Sequence, residues 1–230
     1  MKKYLSLFIL ALCLSMPAVS QNVWEKPDLG EEAPATVKKD KKARKEAKAK
    51  AKKEKIKEPK EDPKYLRGAV TEEDGKIKWT MDIDVPGKSA QQIYDIMLGY
   101  MTNLTKMENQ LEGSSVSLVD KTNHIVVGKI REWLVFKDQF LVLDRAKLIF
   151  TLVATCSDGH LNVSMERISY RYAENNGKTT VVYSAEEWIA DNNAVNKKGT
   201  RLYKGSAKFR RKTIDRKDNI FNSIREAVTK

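Results

Sequence analysis

Apolar and polar residues alternate without a break from Lys76 to Val85. Ile77, Trp79, Met81, Ile83 and Val85 fall on one side, and Lys76, Lys78, Thr80, Asp82 and Asp84 on the other. A period of two predicts a half-buried strand, and Pro86-Gly87 ends it. The period then lengthens. Ser89 and Gln92 stand at capping-box spacing, and Ile93, Met97, Tyr100, Leu104, Met107 and Leu111 recur at helical intervals as far as Gly113. That pattern predicts an amphipathic helix closed by the glycine.

Downstream the period of two returns. Ser115–Val119 reads as a short strand, 120–123 as a turn, and His124–Phe136 as a long strand with Val126, Ile130, Leu134 and Phe136 on one face. Asp144–Cys156 alternates again, with Ala146, Leu148, Phe150, Leu152, Ala154 and Cys156 inward. Asp158-Gly159 is a hairpin turn signal. In the next strand Leu161, Val163 and Met165 share one phase while Ile168, Tyr170 and Tyr172 share the other, so a bulge is expected near Glu166-Arg167. A turn at 175–178 and a short strand at Thr179–Tyr183 follow. The polar stretch from Glu186 to Gly199 reads as loop. From about Ser206 the stripe Ile214, Ile220, Phe221, Ile224 and Val228 predicts a terminal helix. The order strand, helix, several antiparallel strands, helix implies an α+β domain with two helices on one face of a curved antiparallel sheet.

Three motifs within this order carry a resemblance: VPGKSAQQIYDIM after the first strand, HIVVGK on the long strand, and LIFTLVATCSDGHLNVSMERI across the hairpin. With them, residues 70–230 resemble domain-of-unknown-function family 4468, found in exported proteins of Bacteroidetes. The resemblance implies a fold similar to one half of the TATA-box-binding protein. It implies no activity, and the family has no catalytic residues to carry over. Fold and function separate freely, so the likeness does not bring DNA binding with it.

The residues ahead of the domain change the picture of where it works. Lys2 and Lys3 precede the apolar run Tyr4–Met16, and Ala18-Val19-Ser20 puts small residues where signal peptidase cuts. Residues 1–20 therefore read as a signal peptide cleaved after Ser20, and the run is short of the roughly 20 residues of a membrane span. No transmembrane span is expected after cleavage. The expected location is the periplasm or the cell envelope. Cys13 falls inside the signal, which leaves Cys156 alone in the mature chain and rules out an intramolecular disulfide.

Residues 21–64 read as a flexible leader followed by a lysine-rich tether, with the α+β domain at 65–230. The chain carries a formal net charge of +12, and residues 38–64 hold fourteen Lys or Arg against six acids. That segment has helix propensity but no apolar stripe to hold it against a core. It can serve as a spacer, or as an arm for an acidic polymer or an anionic envelope surface. Lys41, Lys42, Arg44, Lys48, Lys52 and Lys53 would carry such binding, together with Arg210, Arg211 and Lys212 on the terminal helix.

Candidate chemistry adds little. His124 and His160 lack metal-ligand spacing, Cys156 shares its phase with core residues, Ser114 and Ser115 lack a nucleophile-elbow context, and glycine-rich phosphate loops are missing. No cofactor is expected. Asp82 and Asp84 are the one carboxylate pair that an enzyme with a site between the sheet and the first helix would use, as in a hydrolase; Glu186 and Glu187 read as a solvated pair. Trp133, Tyr170, Tyr172 and Trp188, near Lys129, Arg131, Arg145 and Lys147, would make a basic aromatic surface if the terminal segment left that face uncovered. The reading that emerges is an exported, non-enzymatic binding or interaction module. Nucleic acid becomes the expected partner only if the chain is not exported.

Overall fold

The computed structural model describes residues 61–140, 142–174 and 179–230. The signal, the leader, most of the lysine-rich segment and the turn at 175–178 lie outside the described residues. Eleven elements follow a single 3-10 turn at Pro63–Tyr65: β1 (Glu72–Glu73), β2 (Lys76–Asp84), α1 (Ala90–Leu104), β3 (Ser115–Asp120), β4 (Ile125–Gln139), β5 (Val142–Ser157), β6 (His160–Glu174), β7 (Thr179–Ser184), α2 (Ala185–Trp188), α3 (Asp191–Ala194) and α4 (Lys204–Thr229). The strands form one antiparallel sheet in the order β1-β2-β6-β5-β4-β3, with β7 also paired to β6. The fold is α+β, as the periodicity predicts.

Each alternating stretch becomes a strand with the expected face inside. On β2, Ile77, Trp79, Met81 and Ile83 are buried. On β5, Ala146, Leu148, Phe150, Leu152, Ala154 and Cys156 are buried in unbroken alternation. The phase flip in β6 is a bulge: Arg167 sits at φ 55°, and the β5–β6 register shifts between Ile149 and Thr151. It has a topological purpose. Before the bulge, residues 160–166 of β6 pair with β2; after it, residues 169–174 pair with β7. The extra residue lets one strand change outer neighbours without losing its buried face.

Both long helices lie on the inner face. Ser89 caps α1 through Gln92 N, and the Gln92 side chain returns the bond to Ser89 N at 2.8 Å. Met101 of α1 rests against Gly128 on the inner phase of β4, and Thr213 of α4 hydrogen-bonds the Tyr170 hydroxyl at 2.8 Å. Helix α1 is shorter than its stripe suggests. It stops at Leu104, and Met107 is exposed. The next residues are taken by the sheet: Leu111 N donates to Arg131 O at 2.8 Å, Trp133 N donates to Asn109 O at 2.9 Å, and Gln110 bridges Glu132. Bonds to the edge of β4 replace the last helical turns.

Two further departures have physical reasons. The segment after β7 opens with α2, not a loop, because Ser184 and Glu187 form a second capping box, and α3 follows without a side-chain cap. The short β1 escapes a periodicity search at two residues; it is made by Asp74-Gly75, whose φ values of 51° and 71° give the twist of a tight hairpin turn. Residues 61–64, which sequence alone assigns to the tether, are bound to α4: Glu61 pairs with Arg211 at 2.5 Å and Lys64 with Asp215 at 2.6 Å.

Candidate functional site

The two faces of the sheet differ. The inner face carries the helices and an aromatic cluster around Phe209, in which Phe136, Tyr170, Tyr172, Tyr183 and Trp188 all have ring centroids within 6.2 Å of it. Tyr170, Tyr172 and Trp188 therefore do not share a surface with Trp133. They belong to the core, and the terminal helix covers them. Trp133 points the other way, from a strand whose even positions 126–134 are buried.

The outer face is open, and the strand register sets cations side by side on it. One row across the sheet reads Trp133, Lys147, Arg171 and Val182; the row before it reads Arg131, Ile149 and Ser169. Arg145, one row further on, lies over the Trp133 ring at 3.7 Å, with the Lys147 ammonium 5.6 Å from the same ring. Stacking of this kind holds a guanidinium in place while leaving its N–H donors outward. Arg131, Lys147 and Arg171, with Leu111, Glu112 and Ile149, line a shallow pocket of about 340 Å³. Among the described residues, Lys129, Arg131, Arg145, Lys147 and Arg171 have no carboxylate within ion-pair distance. Arg131 Nε is buried and unpartnered.

Gly113 shapes that pocket. Its φ of 87° suits glycine, and a Cβ there would meet Arg131 Nη1 at 2.7 Å, so the guanidinium packs against the bare backbone. Gly113→Ala should strain the turn and push Arg131 out of the pocket wall. A chemical-shift map would show the change concentrated at 111–114 and 131. A pocket with three cations, one rim carboxylate and an apolar floor can bind anionic groups attached to an apolar or planar body.

The terminal helix contributes less than its composition suggests. Arg210, expected on a basic surface, is fully buried: it donates to the carbonyls of Tyr65, Leu66 and Ile189 and pairs with Asp191 at 2.6 Å. Arg211 is held by Glu61, Arg216 by Glu132, Lys208 by Asp144 and Lys217 by Asp218. Lys212 is exposed and makes no ion pair among the described residues. Lys41, Lys42, Arg44, Lys48, Lys52 and Lys53 lie outside the described residues.

Asp82 and Asp84 do not sit between the sheet and α1. They stand on the opposite, open face of β2, with side chains 62% and 94% exposed. His160 Nε2 and Nδ1 approach them at 3.3 and 3.2 Å, and Asn162 donates to Asp82 at 2.8 Å. The Asn162 hydrogen bond holds the Asp82 carboxyl below its ordinary range. An ionised, solvated carboxylate is a poor proton donor. Among the described residues no group of His, Cys, Asp and Glu is arranged to hold a metal ion. Cys156 is buried, and burial pushes its thiol up to about 12. Native protein should therefore resist a thiol reagent at neutral pH and react fully once unfolded; a fast native reaction would contradict this placement.

The family described as Domain of unknown function (DUF4468) with TBP-like fold matches residues 79–171. The crystal structure of a DUF4468 family protein from Bacteroides ovatus superposes with a TM-score of 0.68 at 38% identity, covering 74% of this chain and 96% of that one. The chain belongs to the DUF4468 family. A TBP-like protein from Parabacteroides distasonis shares the fold, with a TM-score of 0.57 and 21% identity over 69% of this chain and 96% of that one. No curated protein matches. The matched residues run from within β2 to within β6. No helix among the described residues is long and apolar enough to cross a membrane.

Proposed function

We propose that this DUF4468 protein is an exported, non-enzymatic interaction module that works against an anionic envelope surface. The observation that carries the reading is the open face of the sheet, where Lys129, Arg131, Arg145, Lys147 and Arg171 stand without carboxylate partners among the described residues. Natural surfaces usually intersperse both signs, so an unbalanced row beside an exposed aromatic favours an acidic ligand. The lysine-rich segment supports the same reading, since each basic residue near an anionic leaflet contributes about 1 kcal/mol at moderate salt. The carboxylate-enzyme reading loses support because Asp82 and Asp84 are solvated on the wrong face.

Fractionation of the native host at low and high salt, with mass spectrometry of the mature N-terminus, tests this proposal. The expected result is a chain beginning at Gln21 that sediments with the envelope and is released by salt. Deleting 38–60 should weaken that association and leave folding intact, because it spares Glu61 and Lys64, which pair with α4. A chain beginning at Met1 in the cytoplasm would overturn export and make nucleic acid the leading partner.

A further inference from the structure

We infer that the end of the β4–β5 hairpin is a bilayer-contacting element, which dips its apolar residues among anionic lipids while the adjacent cations engage the headgroups. The inference rests on the proposal that the open face meets an anionic surface, and it names that surface as a lipid bilayer. The first observation is topological. β6 reaches β5 only as far as Ala146, and β3 reaches β4 only at residues 125–129. Past Trp133, where Asn109 bonds the edge of β4, and past Ala146, β4 and β5 pair only with each other among the described residues, so the hairpin ends in a two-stranded ribbon.

The second observation is what the ribbon carries. Phe140 is 91% exposed, Leu143 55% and Val142 44%, with Val135 also exposed behind them. Two-stranded ribbons are marginal in water and do not ordinarily display their largest apolar side chains. The third observation is charge. Arg145 and Lys147 follow Leu143 on the outer phase of β5, Arg145 stacks on Trp133, and Arg171 is the neighbour of Lys147. Of the acids nearby, Asp144 is engaged by Lys208 and Tyr172. Asp138 is the other carboxylate at this end among the described side chains.

The spacing suits a membrane interface. At ~3.3 Å per residue, Arg145 lies ~7 Å and Lys147 ~13 Å along the strand from Leu143. A headgroup layer is roughly 5–8 Å deep, and interfacial elements bury their apolar side to about 5–10 Å. With Leu143 and Phe140 at the acyl boundary, Arg145 meets the phosphates and Trp133 lies at the interface, where amphipathic rings accumulate. A soluble acidic polymer would use the cations and leave Phe140 in water.

The test uses the chain from Gln21 onward, with Phe140→Cys carrying a polarity-sensitive fluorophore; the buried Cys156 stays unlabelled. Vesicles of phosphatidylglycerol and phosphatidylethanolamine should shift the emission to the blue, and phosphatidylcholine vesicles should not. The double variant F140D/L143D should lose on the order of tenfold or more in vesicle affinity. Its thermal midpoint should stay unchanged, because both side chains are exposed. Vesicle sedimentation with the label still in water overturns the hairpin inference and leaves the basic-face reading standing. Binding to polyglutamate without binding to vesicles overturns the bilayer and keeps an acidic ligand. Binding to neither overturns both.

Discussion

Arg210→Ala should cost the domain about 3–5 kcal/mol, the range for removing one partner of a buried ion pair. The guanidinium lies at 0% exposure and makes four short bonds: Nε to Tyr65 O at 2.6 Å, Nη1 to Ile189 O at 2.5 Å, and Nη2 to Leu66 O and Asp191 Oδ1, both at 2.6 Å. These bonds tie the segment before β1, the α2–α3 connection and α4 to one another. Truncation leaves three carbonyls and Asp191 Oδ1 without their donor and opens a cavity the size of the lost side chain. Burial lowers the Arg210 pKa, but a guanidinium remains charged at any pH where the fold is studied. Arg210→Lys should recover little, since one ammonium cannot serve carbonyls arranged around a planar fork. Urea denaturation measures the loss as a lower midpoint at unchanged slope. A loss under about 1 kcal/mol would contradict the hub assigned to this residue.

Glu132→Ala should be comparably damaging, at about 3–5 kcal/mol. Glu132 sits at 1% exposure on the inner phase of β4 and takes Arg216 Nε at 2.6 Å and Nη2 at 2.8 Å. Gln110 adds a third donor at 2.7 Å and Asn109 a fourth at 3.2 Å. The carboxylate thus joins the sheet, α4 and the segment that follows α1. Without it, the Arg216 guanidinium is left half-enclosed and uncompensated. The double variant Glu132→Leu with Arg216→Leu should be much less harmful than the sum of the single changes, because an apolar pair of similar volume needs no partners. Equal single-variant losses that simply add would show that the pair is not coupled.

Much of the fold was legible because its strands are half buried and its turns use Asp74 and glycines where φ is positive. The β6 bulge was legible too, as a change of phase between Met165 and Ile168. The end of α1 was not. The stripe continues to Leu111, but the backbone at 109–111 gains more by bonding the edge of β4 than by extending the helix, and periodicity carries no information on that competition. On the open face, the outward phases of Lys129, Arg131, Arg145 and Lys147 could be read along each strand. Arg171 could not be grouped with them before the register placed it beside Lys147. The aromatics divided for the same reason: the phase that takes Trp133 outward is opposite to the one that takes Tyr170 and Tyr172 into the core.

The buried charges left a fainter trace. Glu132 falls on the inner phase between Ile130 and Leu134, and Arg210 falls four residues before Ile214 on the buried stripe of α4. A charged residue on an apolar phase is the signal of an internal pair. Composition hid it at Arg210, because the surrounding lysines and arginines suggested a solvated basic face. The structure places most of those cations in ion pairs within the domain.

We propose the open sheet face as the surface that meets an anionic partner. Sedimentation of the chain from Gln21 with anionic vesicles, compared with the variant R131E/K147E/R171E, tests it most directly. The triple variant should lose at least tenfold in affinity while its thermal midpoint and circular dichroism stay those of the wild type. Equal binding by a well-folded triple variant would contradict it and leave the lysine-rich segment as the only electrostatic contact.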